Sequence, residues 1–239
     1  MKVVNIQNLT EMVKENFGRD IKVYFIRINP YPMNETLKTI YDSIADLSWT
    51  KIYDTQALKK GGLSRVNKTI RNIEDKLKRC ENDSLTSEVG EYVISILGKQ
   101  ALLDNLNYID IPLAELWKAK VKGNPGFDFY CESTDDKLIF GEAKYESGKN
   151  AYNEALEQIN DFITEGKDYE DLVELKMFVS QKASDNMDNE NRGFAAAFSS
   201  TSIENTKLVN HIIRNKHFNE LLSYDELLLV AVDINEWYD

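Results

Sequence analysis

The chain has 239 residues, 42% of them hydrophobic and 29% charged, with only 4 prolines and 11 glycines. That composition excludes disordered and fibrous classes and suits one large domain or two small ones. The formal charge of −11 opposes constitutive binding of a polyanion. Two cysteines, Cys80 and Cys131, and two histidines, His211 and His217, are too few for a disulfide framework or a Cys-based zinc site. A bound ion would be held by carboxylates, which favours magnesium or manganese over zinc. No run of about 18 apolar residues occurs, and the N-terminus lacks the apolar core of a secretory signal, so a cytoplasmic protein is expected.

In chain order, the apolar run over 21–28, closed by Pro30-Tyr31-Pro32, predicts a mostly buried strand. A helix follows, with Leu37, Ile40, Tyr41, Ile44 and Leu47 on one buried face and Asn34 where an N-cap is wanted. Gly61-Gly62 is expected to break the chain ahead of a basic helix. Over residues 59–79 eight basic side chains stand against two acidic ones, a net +6, which leaves −17 for the rest of the chain. Such a run suits either a solvated helix face or a phosphate-contacting helix.

Ser84 is the expected cap of an amphipathic helix bearing Leu85, Val89, Tyr92, Val93 and Ile96. After Pro112 and the turn signal Gly123-Asn124-Pro125-Gly126, the runs 127–133 and 137–145, separated by Thr134-Asp135-Asp136, read as a hairpin. A helix over 150–163 places Ala151, Ala155, Ile159 and Phe162 on one side. A strand over 172–180, a helix over about 206–222 and a last strand over 227–234 complete the order. The small-residue run 192–200 reads as a packing segment in preference to a flexible loop near substrate. Trp49, Trp117 and Trp237 read as core or rim residues, and Cys131 as a small buried apolar one.

The chemistry is concentrated in the hairpin. In Phe140-Gly141-Glu142-Ala143-Lys144-Tyr145, strand alternation puts Glu142 and Lys144 on one face. Asp128, set between Phe127 and Phe129, is expected to join them across the hairpin. Two carboxylates this close repel each other, and a divalent cation relieves the repulsion. A Glu-x-Lys step by itself is usually a solvent-facing pair worth under about 1 kcal/mol. What sets this one apart is its surroundings: a helix bearing Glu88, the strand start Gly126-Phe127-Asp128, Glu142 fourteen residues later, and a helix with Gln158.

That order, over residues 84–181, resembles the PD-(D/E)XK nuclease superfamily and its RecB-like branch. The resemblance implies an α/β fold with a restriction-endonuclease-like core, a central mixed sheet flanked by helices. Residues 1–80 would form an N-terminal α/β extension ending in the basic helix, and residues 81–239 the nuclease-like domain. It implies further that Asp128 and Glu142 bind Mg2+ (or Mn2+) and that Lys144 positions water or stabilises the transition state. Glu88, with Glu91 as the alternative, would be the additional acid of the first helix and Gln158 the glutamine of the Gln-x-x-x-Tyr motif, with Phe162 in place of the tyrosine. No proline directly precedes Asp128.

Within the superfamily, the run from Ser87-Glu88-Val89-Gly90-Glu91 through Gly126-Phe127-Asp128 to Gly141-Glu142-Ala143-Lys144 is similar to the HamA family, the nuclease subunits of Hachiman antiphage defence. This similarity implies a helicase partner, HamB-like, that restrains the nuclease until foreign or damaged DNA engages it. The expected function is therefore metal-dependent endonucleolytic hydrolysis of DNA phosphodiester bonds. Lys59, Lys60, Arg65, Lys68, Arg71, Lys118, Lys120 and Lys122 are the candidate nucleic-acid contacts. The alternatives are an RNA-directed nuclease and a non-catalytic scaffold or binding module that keeps a nuclease fold. A scaffold has no physical reason to gather Asp128, Glu142 and Lys144.

Overall fold

Three apolar runs, 138–144, 192–200 and 226–233, are buried along nearly their whole length, which only a sheet covered on both faces permits. The computed structural model describes residues 1–53, 55–80, 86–113, 116, 126–201 and 204–235. Its elements are β1 (Lys2–Asn8), α1 (Thr10–Phe17), β2 (Lys22–Asn29), α2 (Met33–Ala45), a 3-10 turn (Ser48–Ile52), α3 (Gln56–Cys80), α4 (Ser87–Leu106), β3 (Ile109–Asp110), β4 (Phe129–Glu132) and β5 (Leu138–Lys144). They continue with α5 (Tyr152–Glu165), α6 (Lys167–Leu175), α7 (Gln181–Asp188), β6 (Arg192–Ser200), α8 (Asn205–Ile213), α9 (Lys216–Leu221) and β7 (Glu226–Asp233).

This is an α/β protein with a seven-stranded mixed sheet packed against helices, in the order β1-β2-β7-β6-β5-β4-β3. The central strands β2, β7, β6 and β5 run parallel, while β1 and the β3–β4–β5 meander pair antiparallel. Through the β2–β7 ladder the first thirty residues belong to the same sheet as the hairpin.

Helix α4 covers β4 to β7 and α5 covers β5 and β6. Alternation along β5 sorts its side chains between them. Ala143 is paired with Ala197, whose Cβ meets Gly98 of α4. Phe140 packs its ring against Phe127, which in turn meets Phe162 of α5. Among the described residues no helix is long and apolar enough to cross a membrane.

The strand over 22–29, the hairpin, the helix over 152–165 and the last strand follow the sequence reading. Several expectations are corrected. Helix α3 runs straight through Gly61-Gly62. A Cβ at Gly62 would lie 2.5 Å from the Tyr53 ring, so that glycine admits a close-packed aromatic and does not break the helix. Helix α2 starts at Met33 with Pro32 at the N-cap, not Asn34. The Pro32 carbonyl accepts from the amides of Glu35 and Thr36. Tyr41 is exposed and Leu47 lies beyond the helix end.

The expected strand over 172–180 is instead the end of α6 and a turn. The buried residues of α6 are Lys167, Asp168, Asp171 and Leu175, a helical period hidden from a hydrophobicity reading because three of the four are charged, two of them acids. Each acid has a partner: Asp168 is ion-paired with Arg192 at 2.7 Å, and Asp171 accepts from the Phe127 amide and the Tyr130 hydroxyl. The small-residue run does pack, as expected, and forms β6, buried over its full length. The helix over 206–222 is two helices, because Asn215 interrupts it and caps the second through the His217 amide. His211 and His217 thus lie on different helices.

The cap of α4 is Thr86. Ser84 lies outside the described residues, as do Leu85, Trp117, Lys118, Lys120, Lys122, Gly123, Asn124, Pro125 and Trp237. Trp49 packs edge-on against Phe178. Cys131 is fully buried, and burial pushes its thiol well above the usual range.

The α4–β6 contact yields a stability prediction. Gly98→Ala would bring two β-carbons to 2.5 Å, so backbone must shift. Although alanine is the better helix former, the variant should lose about 1–3 kcal/mol in urea unfolding. Unchanged stability would show that α4 is free to move off the sheet.

Candidate active site

Pairing of Phe129 with Gly141 places Asp128 beside Glu142 at the mouth of the hairpin. The Asp128 amide donates to the Gly141 carbonyl at 2.9 Å, and its Oδ2 accepts from the Ala143 amide at 2.9 Å. Asp128 is thus fixed by backbone on both sides. Two residues along β5 from Glu142, Lys144 turns to the same face, and its Nζ lies 3.0 Å from Glu142 Oε1. Helix α4 brings a third carboxylate, Glu91, whose Oε1 is 3.4 Å from the same Nζ. That approach depends on Gly90, since any β-carbon there would enter the Tyr145 ring.

Three carboxylates around one ammonium cannot all be comfortable, and burial decides which yields. Glu142 is 1% exposed. Burial first, and the Asp128 charge second, push its carboxyl well above the usual range, and the opposing pull of Lys144 does not restore it. Lys144 responds in the opposite sense: burial pulls its ammonium down, but Glu142, Glu91 and Asp128 outweigh burial and hold it above the ordinary lysine value. The two shifts are compatible because the excess of negative charge falls on the deepest member.

Lys144 opens onto a cleft of about 410 Å³ whose other wall is α5: Glu154, Glu157, Gln158, Asp161, Phe162 and Glu165. Of the residues expected from the sequence, Asp128, Glu142 and Lys144 come together, and Gln158 faces the cleft that Lys144 lines. Glu88 is placed on the outer turn of α4, paired with Lys76 of α3, and Glu91 is the acid of α4 that reaches Lys144. Sequence reasoning left open whether Glu88 or Glu91 joins the site, and it is Glu91 that reaches Lys144. It passed over the carboxylates of α5, which recur at three-and-four spacing opposite Ala155, Ile159 and Phe162 and so were legible as one face.

Comparison with protein-family models, with curated proteins and with solved structures gave no match to this chain. The arrangement therefore has to be judged on its chemistry. Glu142 Oε2 is buried and has no hydrogen-bond partner among the described residues, an orphaned hard-oxygen donor of the kind a cation satisfies. Among the described residues no three His, Cys, Asp or Glu side chains are gathered closely enough to hold an ion unaided. A two-carboxylate set fits magnesium, which keeps several waters and binds through one or two carboxylates plus substrate phosphate. It does not fit zinc or a calcium cage.

The raised Glu142 carboxyl carries a sign that can be measured. A raised carboxyl binds its proton more tightly folded than unfolded, so stability is greatest below about pH 4.5 and is lost as pH rises toward the folded value. Glu142→Gln stays neutral throughout. In EDTA its melting temperature should exceed that of the parent by a margin that widens from about pH 4.5 upward. A margin that shrinks with rising pH would mean that Lys144 stabilises ionised Glu142 outright.

Proposed function

We propose that this chain is a metal-dependent nuclease hydrolysing DNA phosphodiester bonds, of the PD-(D/E)XK type. The observation that carries the reading is the convergence of Asp128, Glu142 and Lys144 on one strand face, with Glu142 Oε2 buried and unpartnered among the described residues. Asp128 and Glu142 would hold Mg2+ or Mn2+, which supplies Lewis acidity toward a phosphoryl oxygen and lowers the pKa of a bound water. Lys144 holds a positive charge where negative charge develops on the phosphoryl group, in a partly water-excluded site where that charge counts for most. Glu91 keeps the ammonium protonated and oriented. The Ala143 amide fixes Asp128, so the acid arrives pre-positioned. No serine or histidine nucleophile is required, in keeping with two histidines in the whole chain.

Partner control belongs to the same proposal. The α5 wall sets Glu154, Glu157, Asp161 and Glu165 beside Lys144, and with a chain charge of −11 this field repels a polyanion. A partner that delivers the strand and restrains the free enzyme fits such a surface. The similarity to the HamA family supports a helicase in that role.

The test uses the purified full chain, alone and with the product of its genomic neighbour, on plasmid, linear single-stranded DNA and RNA. Cleavage of DNA in Mg2+ but not in EDTA is expected, with Asp128→Asn, Glu142→Gln and Lys144→Ala each lowering the rate at least about 100-fold while folding normally. Mg2+ should also raise the melting temperature of the parent and leave Glu142→Gln unmoved. Cleavage that survives Glu142→Gln, or a preference for RNA, would overturn the assignment.

A further inference from the structure

Helix α3 is 25 residues long, about 37 Å at 1.5 Å per residue, and its two sides differ sharply. Val66, Ile70 and Ile73 are buried against the protein. Lys60, Ser64, Asn67, Lys68, Arg71 and Asn72 are exposed, with the acid Asp75 on the same face. Lys60, Lys68 and Arg71 are engaged in no ion pair among the described residues, unlike Lys76, which holds Glu88. Long cations interleaved with hydroxyl and amide groups are the donors that contact phosphate and sugar.

A second, independent observation lies on the same face. Gly61 is exposed within the helix, between Lys60 and Ser64, and a β-carbon there would meet nothing within 4 Å among the described residues. Packing therefore does not require glycine at 61, in contrast to Gly62 beneath Tyr53. Glycine in a helix interior weakens the helix, and one physical use that offsets this is close approach of another backbone.

We propose that the outward face of α3 docks along the sugar-phosphate backbone of duplex DNA, with Gly61 the point of closest approach. The choice of DNA among polyanions rests on the nuclease reading; the docking face itself does not. Charge complementarity selects the polyanion, since the segment is locally cationic on an acidic chain. The absence of any aromatic residue in α3 selects duplex over single strand, because single-strand sites combine a basic groove with rings on which bases stack. Contacts of this kind fix position without reading sequence.

The experiment measures fluorescence anisotropy of a blunt duplex of about 20 base pairs, with the single strand and an RNA duplex alongside. It uses the full chain carrying Glu142→Gln, in EDTA, over a range of salt concentrations. Lys68→Ala and Arg71→Ala should each weaken duplex binding about 3- to 10-fold and reduce the salt slope by about one. Gly61→Ala should raise the melting temperature by about 2–4 °C yet weaken binding at least about 3-fold. A purely structural Gly61 would give the higher melting temperature with unchanged affinity, and that result overturns its role. Tighter binding of single strand or RNA, or indifference to both cation substitutions, overturns the duplex face. Duplex binding without Mg2+-dependent cleavage by the parent removes the nuclease reading and leaves this one standing, whereas cleavage unaffected by every α3 substitution does the reverse.

Discussion

The pairing of β4 with β5 is the constraint on which the cleft depends. A slip of one residue would send Asp128 to the opposite face from Glu142, and the polar cluster would cease to exist. The register is held by bulk: the Phe129 ring lies where a Gly141 side chain would be, and Phe127, Phe140 and Phe162 close the other face. Apolar packing thus sets the distance between groups that would otherwise push apart. Their mutual repulsion is stored in the fold, since the deepest carboxyl is the one least able to shed it to solvent.

How much could be read from residues alone follows from where the burial signal is simple. The hairpin was legible because its apolar positions and its Thr134-Asp135-Asp136 connection obey a two-residue period and turn chemistry. The helix over 152–165 was legible because Ala155, Ile159 and Phe162 repeat at helical spacing. Elements whose inward residues are polar or small were not. In α6 the buried Asp168 and Asp171 are matched by Arg192, Tyr130 and a backbone amide, partners brought from distant parts of the chain. In β6 the alanines give no alternation, and only neighbours on both sides reveal a central strand. β1 alternates between exposed and half-buried positions, too faint a pattern to separate from a surface tail. At the cleft, Asp128, Glu142 and Lys144 followed from strand geometry, while the choice between Glu88 and Glu91 depended on how α4 crosses the sheet, which no local pattern encodes.

The charge distribution unites the two surfaces that matter. Acidic groups are gathered on α5 and around Lys144, and the larger helix α3 carries Lys60, Lys68 and Arg71, which form no ion pair among the described residues. Helix α5 lies on β5 and β6, whereas α3 packs on α2, the 3-10 turn and α4, so the molecule has a polarity that a single net charge conceals. Such a surface favours approach of a polyanion along one direction and resists it along another.

The β2–β7 ladder has a consequence for biogenesis. Lys22 and Glu226 are ladder partners roughly 200 residues apart, and parallel pairing of that span closes late and slowly. At synthesis rates of about 5–20 residues per second, β2 waits on the order of tens of seconds for its neighbour. During that interval one of the most apolar strands in the chain is an unpaired edge, open to the wrong partner. The hairpin bearing Asp128 and Glu142, whose strands are adjacent in sequence, has no such wait.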